Sequence, residues 1–98
     1  MKATLLLRNR VVFAEDAFAE LVLWKLPEAL PGSPHVYKYR LAYVVDGDCV
    51  LRFDNESGKG DHFHLGNKES RYRFTSPEQL LQDFESRIER WNLENRDA

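Results

Sequence analysis

The sequence predicts an α+β domain, an antiparallel β-sheet of about five strands with a C-terminal amphipathic helix packed on one face. Two observations carry that prediction. Tyr37-Lys38-Tyr39-Arg40-Leu41-Ala42-Tyr43-Val44-Val45 alternates with period two and is followed by Asp46-Gly47-Asp48, a dipeptide type that tolerates the positive φ of a tight hairpin. Near the other end Ser76-Pro77 opens a segment in which Leu81, Phe84, Ile88 and Trp91, with Leu80 beside them, fall on one helical face. A chain of 98 residues holds one core, so residues 1–98 are read as a single domain.

Taken in order, Thr4–Leu7 and Val11–Phe13 read as two short strands around a turn at Arg8-Asn9-Arg10. Residues 14–26 mix helix-favouring alanines and acids with Val22 and Trp24, and a strand from about Phe18 to Leu26 is expected. Pro27, Pro31 and Pro34 make the next stretch a loop, because proline removes the donor that a β-ladder needs. Cys49–Asp54 is the return strand of the Asp-Gly hairpin, with Cys49 as a small buried residue. A two-residue turn places Arg52 and Asp54 on the face of Tyr37, Tyr39 and Tyr43, and Leu51 and Phe53 on the other; an odd-length loop would exchange the faces. Leu65–Ser70 reads as a polar turn and Arg71–Phe74 as a short strand with Arg71 and Arg73 on one face. Ser76 caps the helix, Gln79 has capping-box spacing, the helix reaches about Trp91, and a frayed tail begins at about residue 92.

Composition narrows the function classes. With 14 Lys+Arg against 16 Asp+Glu the formal net charge is −2, so a nucleic-acid partner needs a local positive patch. The single cysteine excludes an internal disulfide and a four-cysteine zinc site. No apolar run approaches the ~18 residues of a membrane helix, and the first residues are too short for a signal-peptide core. A cytoplasmic protein without a membrane partner is expected. The helix carries Glu78, Asp83, Glu85, Glu89 and Glu94 against Arg87 and Arg90, so RNA would meet the opposite, sheet-and-loop side.

Chemistry concentrates in Arg52–His64. On an extended segment His62 and His64 point the same way, and a pair titrating near neutrality suits general acid–base catalysis. Lys59 between two glycines, and Arg52, can meet a phosphate; Asp61 can orient a histidine. This set, His62, His64, Lys59 and Asp61 as catalytic and Arg52, Arg71, Arg73, Tyr39 and Asp54 as substrate-binding residues, describes metal-independent RNA cleavage. A metal site would need a third ligand, with Asp54 or Asp61 as candidates, and neither metal nor cofactor is expected. The plain structural reading has Asp61 and His62 satisfying each other in a surface turn and His64 resting on the sheet. Gly58-Lys59-Gly60 lacks the spacing of a nucleotide-hydrolysing phosphate loop. Alternating Lys, Arg and Tyr are equally the dress of a solvent-facing strand, although Tyr37, Tyr39 and Tyr72 can stack bases.

Leu51-Arg52-Phe53-Asp54-Asn55-Glu56, then Gly58-Lys59-Gly60-Asp61-His62-Phe63-His64, with Tyr37–Leu41, Val45-Asp46-Gly47 and Tyr72-Arg73-Phe74, resembles the TumE family of small bacterial toxins over nearly the whole chain. The resemblance implies the toxin half of a type II toxin–antitoxin system, with a helix-turn-helix antitoxin as partner. It carries no catalytic residue set to transfer. One departure is Phe63, where arginine is common between the histidines. The alternative to a ribonuclease is a non-enzymatic binding module that acts by occupying a protein or RNA partner.

Overall fold

A computed structural model describes residues 2–96. Its strands are β1 (Thr4–Ala14), β2 (Ala17–Lys25), β3 (Tyr37–Val45), β4 (Asp48–Glu56), β5 (Gly60–Leu65) and β6 (Lys68–Arg71), and the chain closes with α1 (Pro77–Asn95). The six strands form one antiparallel sheet in sequence order, a meander, so the α+β expectation holds with one strand more than anticipated. No helix is long and apolar enough to cross a membrane.

The turn expected at Arg8-Asn9-Arg10 does not form: β1 runs through it, with irregularities near Leu6 and Phe13. None of the three is Gly or Pro, and β1 is an edge strand, where charged side chains are tolerated. The Arg10 guanidinium finds a partner in the Phe18 ring, 3.9 Å from its centroid. In β2 the alternate residues Ala17, Ala19 and Leu23 are buried. The proline-rich loop is tied down at both sides, by Leu26 N donating to Val36 O (2.6 Å) and by Gly58 N donating to Pro31 O (2.8 Å).

The β3–β4 hairpin overturns the predicted parity. Asp46 and Gly47 both have positive φ (51° and 81°), as a two-residue turn requires, and Val45 pairs with Asp48 and Val44 with Cys49. Tyr43, however, pairs with Leu51, leaving Val50 as the extra residue of a bulge. Leu51 and Phe53 therefore join the Tyr39, Leu41, Tyr43 face, and Arg52 and Asp54 leave it. Burial favours this register: Leu51 and Phe53 become almost wholly buried beneath the helix, each contributing about 1.5–3 kcal/mol. Cys49, expected inside, is exposed beside the turn.

The last hairpin turns at Gly66-Asn67, where Gly66 has φ 59°, so β6 begins at Lys68 rather than at Arg71. Beyond Arg71 the chain makes one more bond to β5, from Tyr72 N to Asp61 O (3.1 Å), and then leaves the sheet. Ser76 caps α1 by accepting from Gln79 N (3.1 Å), but the Gln79 side chain turns to Asp83 (2.8 Å) instead of closing the box. Leu80, Phe84 and Ile88 are buried on the tyrosine face, and Leu81 and Trp91 pack at its margin. The helix outlasts the expected end: Tyr43 donates to Asn92 Oδ1 (2.8 Å), and Arg96 pairs with Asp16 of the β1–β2 turn (2.7 Å). The final two residues of the expected tail lie outside the described residues.

Candidate functional site

Period two, applied to the observed register, sorts the candidate residues onto two sides of the sheet. Arg52 and Asp54 face away from α1, and β5 sets His64 opposite Arg52 and His62 opposite Asp54. β6 then places Glu69 opposite His64 and Arg71 opposite His62. The result is a charged cluster on the face that the helix leaves uncovered. Asp54 lies at its centre, with Arg52 Nε 3.1 Å from Oδ2 and His64 Nε2 3.6 Å from Oδ1. Glu69 reaches both rings, 3.3 Å from His62 Nδ1 and 4.0 Å from His64 Nε2.

The two histidines are not equivalent. His62 Nε2 donates to the Lys59 carbonyl (2.8 Å), which fixes a proton on that nitrogen and turns Nδ1 toward Glu69. His64 lies 3.6 Å from Asp54 and 4.0 Å from Glu69, beyond hydrogen-bonding distance, and its ring makes no hydrogen bond among the described residues. Arg52 Nε is buried and close to Asp54 in charge terms, yet it is out of line for a hydrogen bond and remains unpartnered among the described residues.

Asp61 belongs to the opposite face and does not orient His62 or His64. Its Oδ2 accepts from Tyr39 Oη (2.6 Å) and from Nε2 of His35 (2.8 Å), the one histidine outside the Gly-Lys-Gly segment. His35 Nδ1 accepts from Tyr37 N (3.1 Å), which leaves the ring no free nitrogen, and Phe74 covers it at 4.0 Å between centroids. This trio is a structural support rather than a proton relay. Tyr39, expected to touch substrate, is 1% exposed and contributes only from below. Lys59, Asp61, Arg71 and Arg73, with Tyr72 and Phe74, line an open cleft of ≈ 490 Å³, a size within the range of small-ligand sites.

Burial pushes the Tyr39 phenol well above its ordinary value, and the bond to Asp61 adds to it. Tyr72 is raised in the same way, first by burial and then by its bond to Asp83 (2.5 Å). A raised folded value stabilises fully below the unfolded tyrosine value of about 10 and the contribution is lost as pH rises through the folded one. Phenolate absorbance from these two rings is therefore expected to appear together with alkaline unfolding, and Tyr39→Phe and Tyr72→Phe should each remove one such late-titrating ring from a spectrophotometric titration. Early, independent titration of either would show that its hydrogen bond is not maintained.

Of the residues that sequence reasoning passed over, Glu69 was legible in principle: a hairpin turn at Gly66-Asn67 sets it opposite His64. His35 was not, since it follows an aperiodic loop and meets Asp61 only in the folded chain. Among the described residues no three His, Cys, Asp or Glu side chains converge so as to hold a metal ion. The family model described as Toxin TumE matches residues 2–92. No curated protein and no solved structure matches the chain.

Proposed function

Because the chain belongs to the TumE toxin family, matched over residues 2–92, we propose that it is the toxin of a toxin–antitoxin pair and cleaves RNA by metal-independent acid–base chemistry on the uncovered sheet face. A toxin family implies an antitoxin partner, and the reading extends this to a helix-turn-helix antitoxin acting in the cytoplasm. The observation that supports cleavage is the state of His64, an uncommitted imidazole between Asp54 and Glu69 with Arg52 alongside.

In this reading His64 takes the proton of a ribose 2′-hydroxyl, and the freed oxygen attacks the adjacent phosphorus. His62 gives a proton to the departing 5′-oxygen, so a 2′,3′-cyclic phosphate and a 5′-hydroxyl result. Arg52 and Arg71 face the phosphate, where fixed cations offset the charge gained in the transition state. Positioned acid–base groups supply about 10²–10⁴-fold in rate.

His64→Ala is expected to lower cleavage of total RNA by a factor in that range, with His62→Ala acting in the same direction, while both variants keep the fold by circular dichroism. Full toxicity and cleavage in the folded variants would refute the assignment. Cleavage that persists in a chelator supports the reading, and chelator-sensitive cleavage would replace it with metal chemistry. The engagement of His62 by the Lys59 carbonyl favours a second reading, in which the protein occupies RNA without cutting it; binding without cleavage by the wild type would select it.

A further inference from the structure

The cleft lined by Lys59, Asp61, Arg71, Tyr72, Arg73 and Phe74 lies at the β5–β6 edge, where it meets the histidine face without belonging to it. Two connections make the edge continuous. Arg71 is the register partner of His62, and the Lys59 carbonyl holds the His62 ring. A strand laid along this edge would pass from one region to the other.

The lining has the composition of a nucleotide site. Three cations, Lys59, Arg71 and Arg73, ring the opening, although the chain as a whole carries a net negative charge. The Lys59 ammonium is held only loosely, 3.9 Å from Glu56 and largely exposed. Glycine backbone at Gly32 and Gly60 lets a ligand approach closely, and Tyr72, Phe74 and Pro34 give an apolar wall. The floor contains one carboxylate. Asp61 Oδ2 is used by Tyr39 and His35, both donating to it, whereas Oδ1 accepts no hydrogen bond among the described residues. Asp61 lines the cleft with a side chain that is 6% exposed, and an ionised carboxylate oxygen there can only accept, as from a hydroxyl.

From this geometry we infer that the cleft binds the nucleotide next to the cleaved one, with Lys59, Arg71 and Arg73 on its phosphates and Asp61 Oδ1 accepting from its ribose 2′-hydroxyl. The inference rests on the RNA reading above and deepens it, because a 2′-hydroxyl acceptor separates RNA from DNA. His35 and Tyr39 are positioning residues here, since they fix Asp61 and touch no ligand.

The test is fluorescence anisotropy with a short labelled single-stranded RNA and the DNA of the same sequence, in the full chain carrying His64→Ala so that the strand survives. Lys59→Ala, Arg71→Ala and Arg73→Ala are each expected to weaken RNA binding about tenfold, the size of one lost charge-assisted contact. Each should also lower the salt dependence by about 0.7 in the log–log slope. Arg90→Ala, a charge removed from the helix where it pairs with Glu94, should change neither. Asp61→Asn should bring the RNA and DNA affinities together. If the parent binds RNA and Lys59→Ala and Arg73→Ala bind it equally well, the cleft is not the site and the RNA reading survives; Arg71→Ala, at a residue shared with the cleavage site, bears on both. If the parent does not bind RNA, the RNA reading itself falls and takes this inference with it.

Discussion

Replacing Phe53 by alanine is expected to cost about 3–5 kcal/mol, the range for truncating a fully buried aromatic ring. Phe53 is 1% exposed and touches three other rings: Phe63 stacked at 5.5 Å, Tyr72 edge-on at 5.0 Å and Phe84 edge-on at 5.8 Å. It thus joins β4 to β5, to the segment leaving β6 and to the helix. A domain of this size has about 5–15 kcal/mol in total, so the loss is a large share of it. Urea unfolding should show a lower midpoint with an unchanged slope, and Phe53→Leu, which keeps most of the volume, should fall well short of it. A loss below about 1 kcal/mol for the alanine variant would mean that the cluster closes over the gap, and that the bulge at Val50 is not held by burial of this ring.

That bulge marks where the sequence was legible and where it was not. Local pattern was enough for the Asp46-Gly47 turn, the alternation of β3 and the Ser76 start of α1, since each is decided by residues close together in the chain. The face on which Arg52 stands is decided elsewhere. Cys49-Val50-Leu51-Arg52-Phe53 alternates equally well in either register, and only a helix that begins more than twenty residues later makes burying Leu51 and Phe53 the better choice. Arg8-Asn9-Arg10 failed in the opposite way: polarity suggested a turn, but an edge strand needs no apolar residue there.

The candidate site was legible as a segment and illegible as a shape. His62 and His64 do share a face with each other, and the β4–β5 register sets Arg52 and Asp54 beside them, while the bulge at Val50 sends the whole set to the side away from the tyrosines. Asp61, one residue away, points to the other side and to His35, a partner that no spacing rule would choose. The same alternation resolves the departure at Phe63. Its ring stacks on Phe53 and sits under the Arg87 guanidinium, 4.8 Å away, on the helix side. Position 63 is thus separated by the sheet from the histidines, and the aromatic there serves packing.

The Asp54-Asn55 pair divides between the two tasks, and Asn55 carries the second large effect. Regular β3–β4 pairing stops at Arg40 and Asp54. Past that point the Asn55 side chain takes over, with Oδ1 accepting from Tyr39 N (3.0 Å) and Nδ2 donating to Tyr37 O (2.7 Å), while Lys38 Nζ donates to the Asn55 carbonyl. The residue is 1% exposed, so water cannot replace these bonds. Asn55→Ala leaves the buried Tyr39 N–H unpaired, at about 1–3 kcal/mol, and adds a smaller loss from the half-buried Tyr37 carbonyl. Asn55→Asp separates the hydrogen bonds from mere volume. It keeps the acceptor for Tyr39 N but sets a carboxylate against the Tyr37 carbonyl and opposite Asp61, so at neutral pH it should destabilise at least as much as alanine. Hydrogen exchange at the Tyr39 amide should accelerate in Asn55→Ala beyond what the global loss accounts for, because the clamp holds the open end of the hairpin. Were Asn55→Asp to match the wild type in both stability and exchange, the Nδ2 bond to Tyr37 would not be what closes β3 against β4.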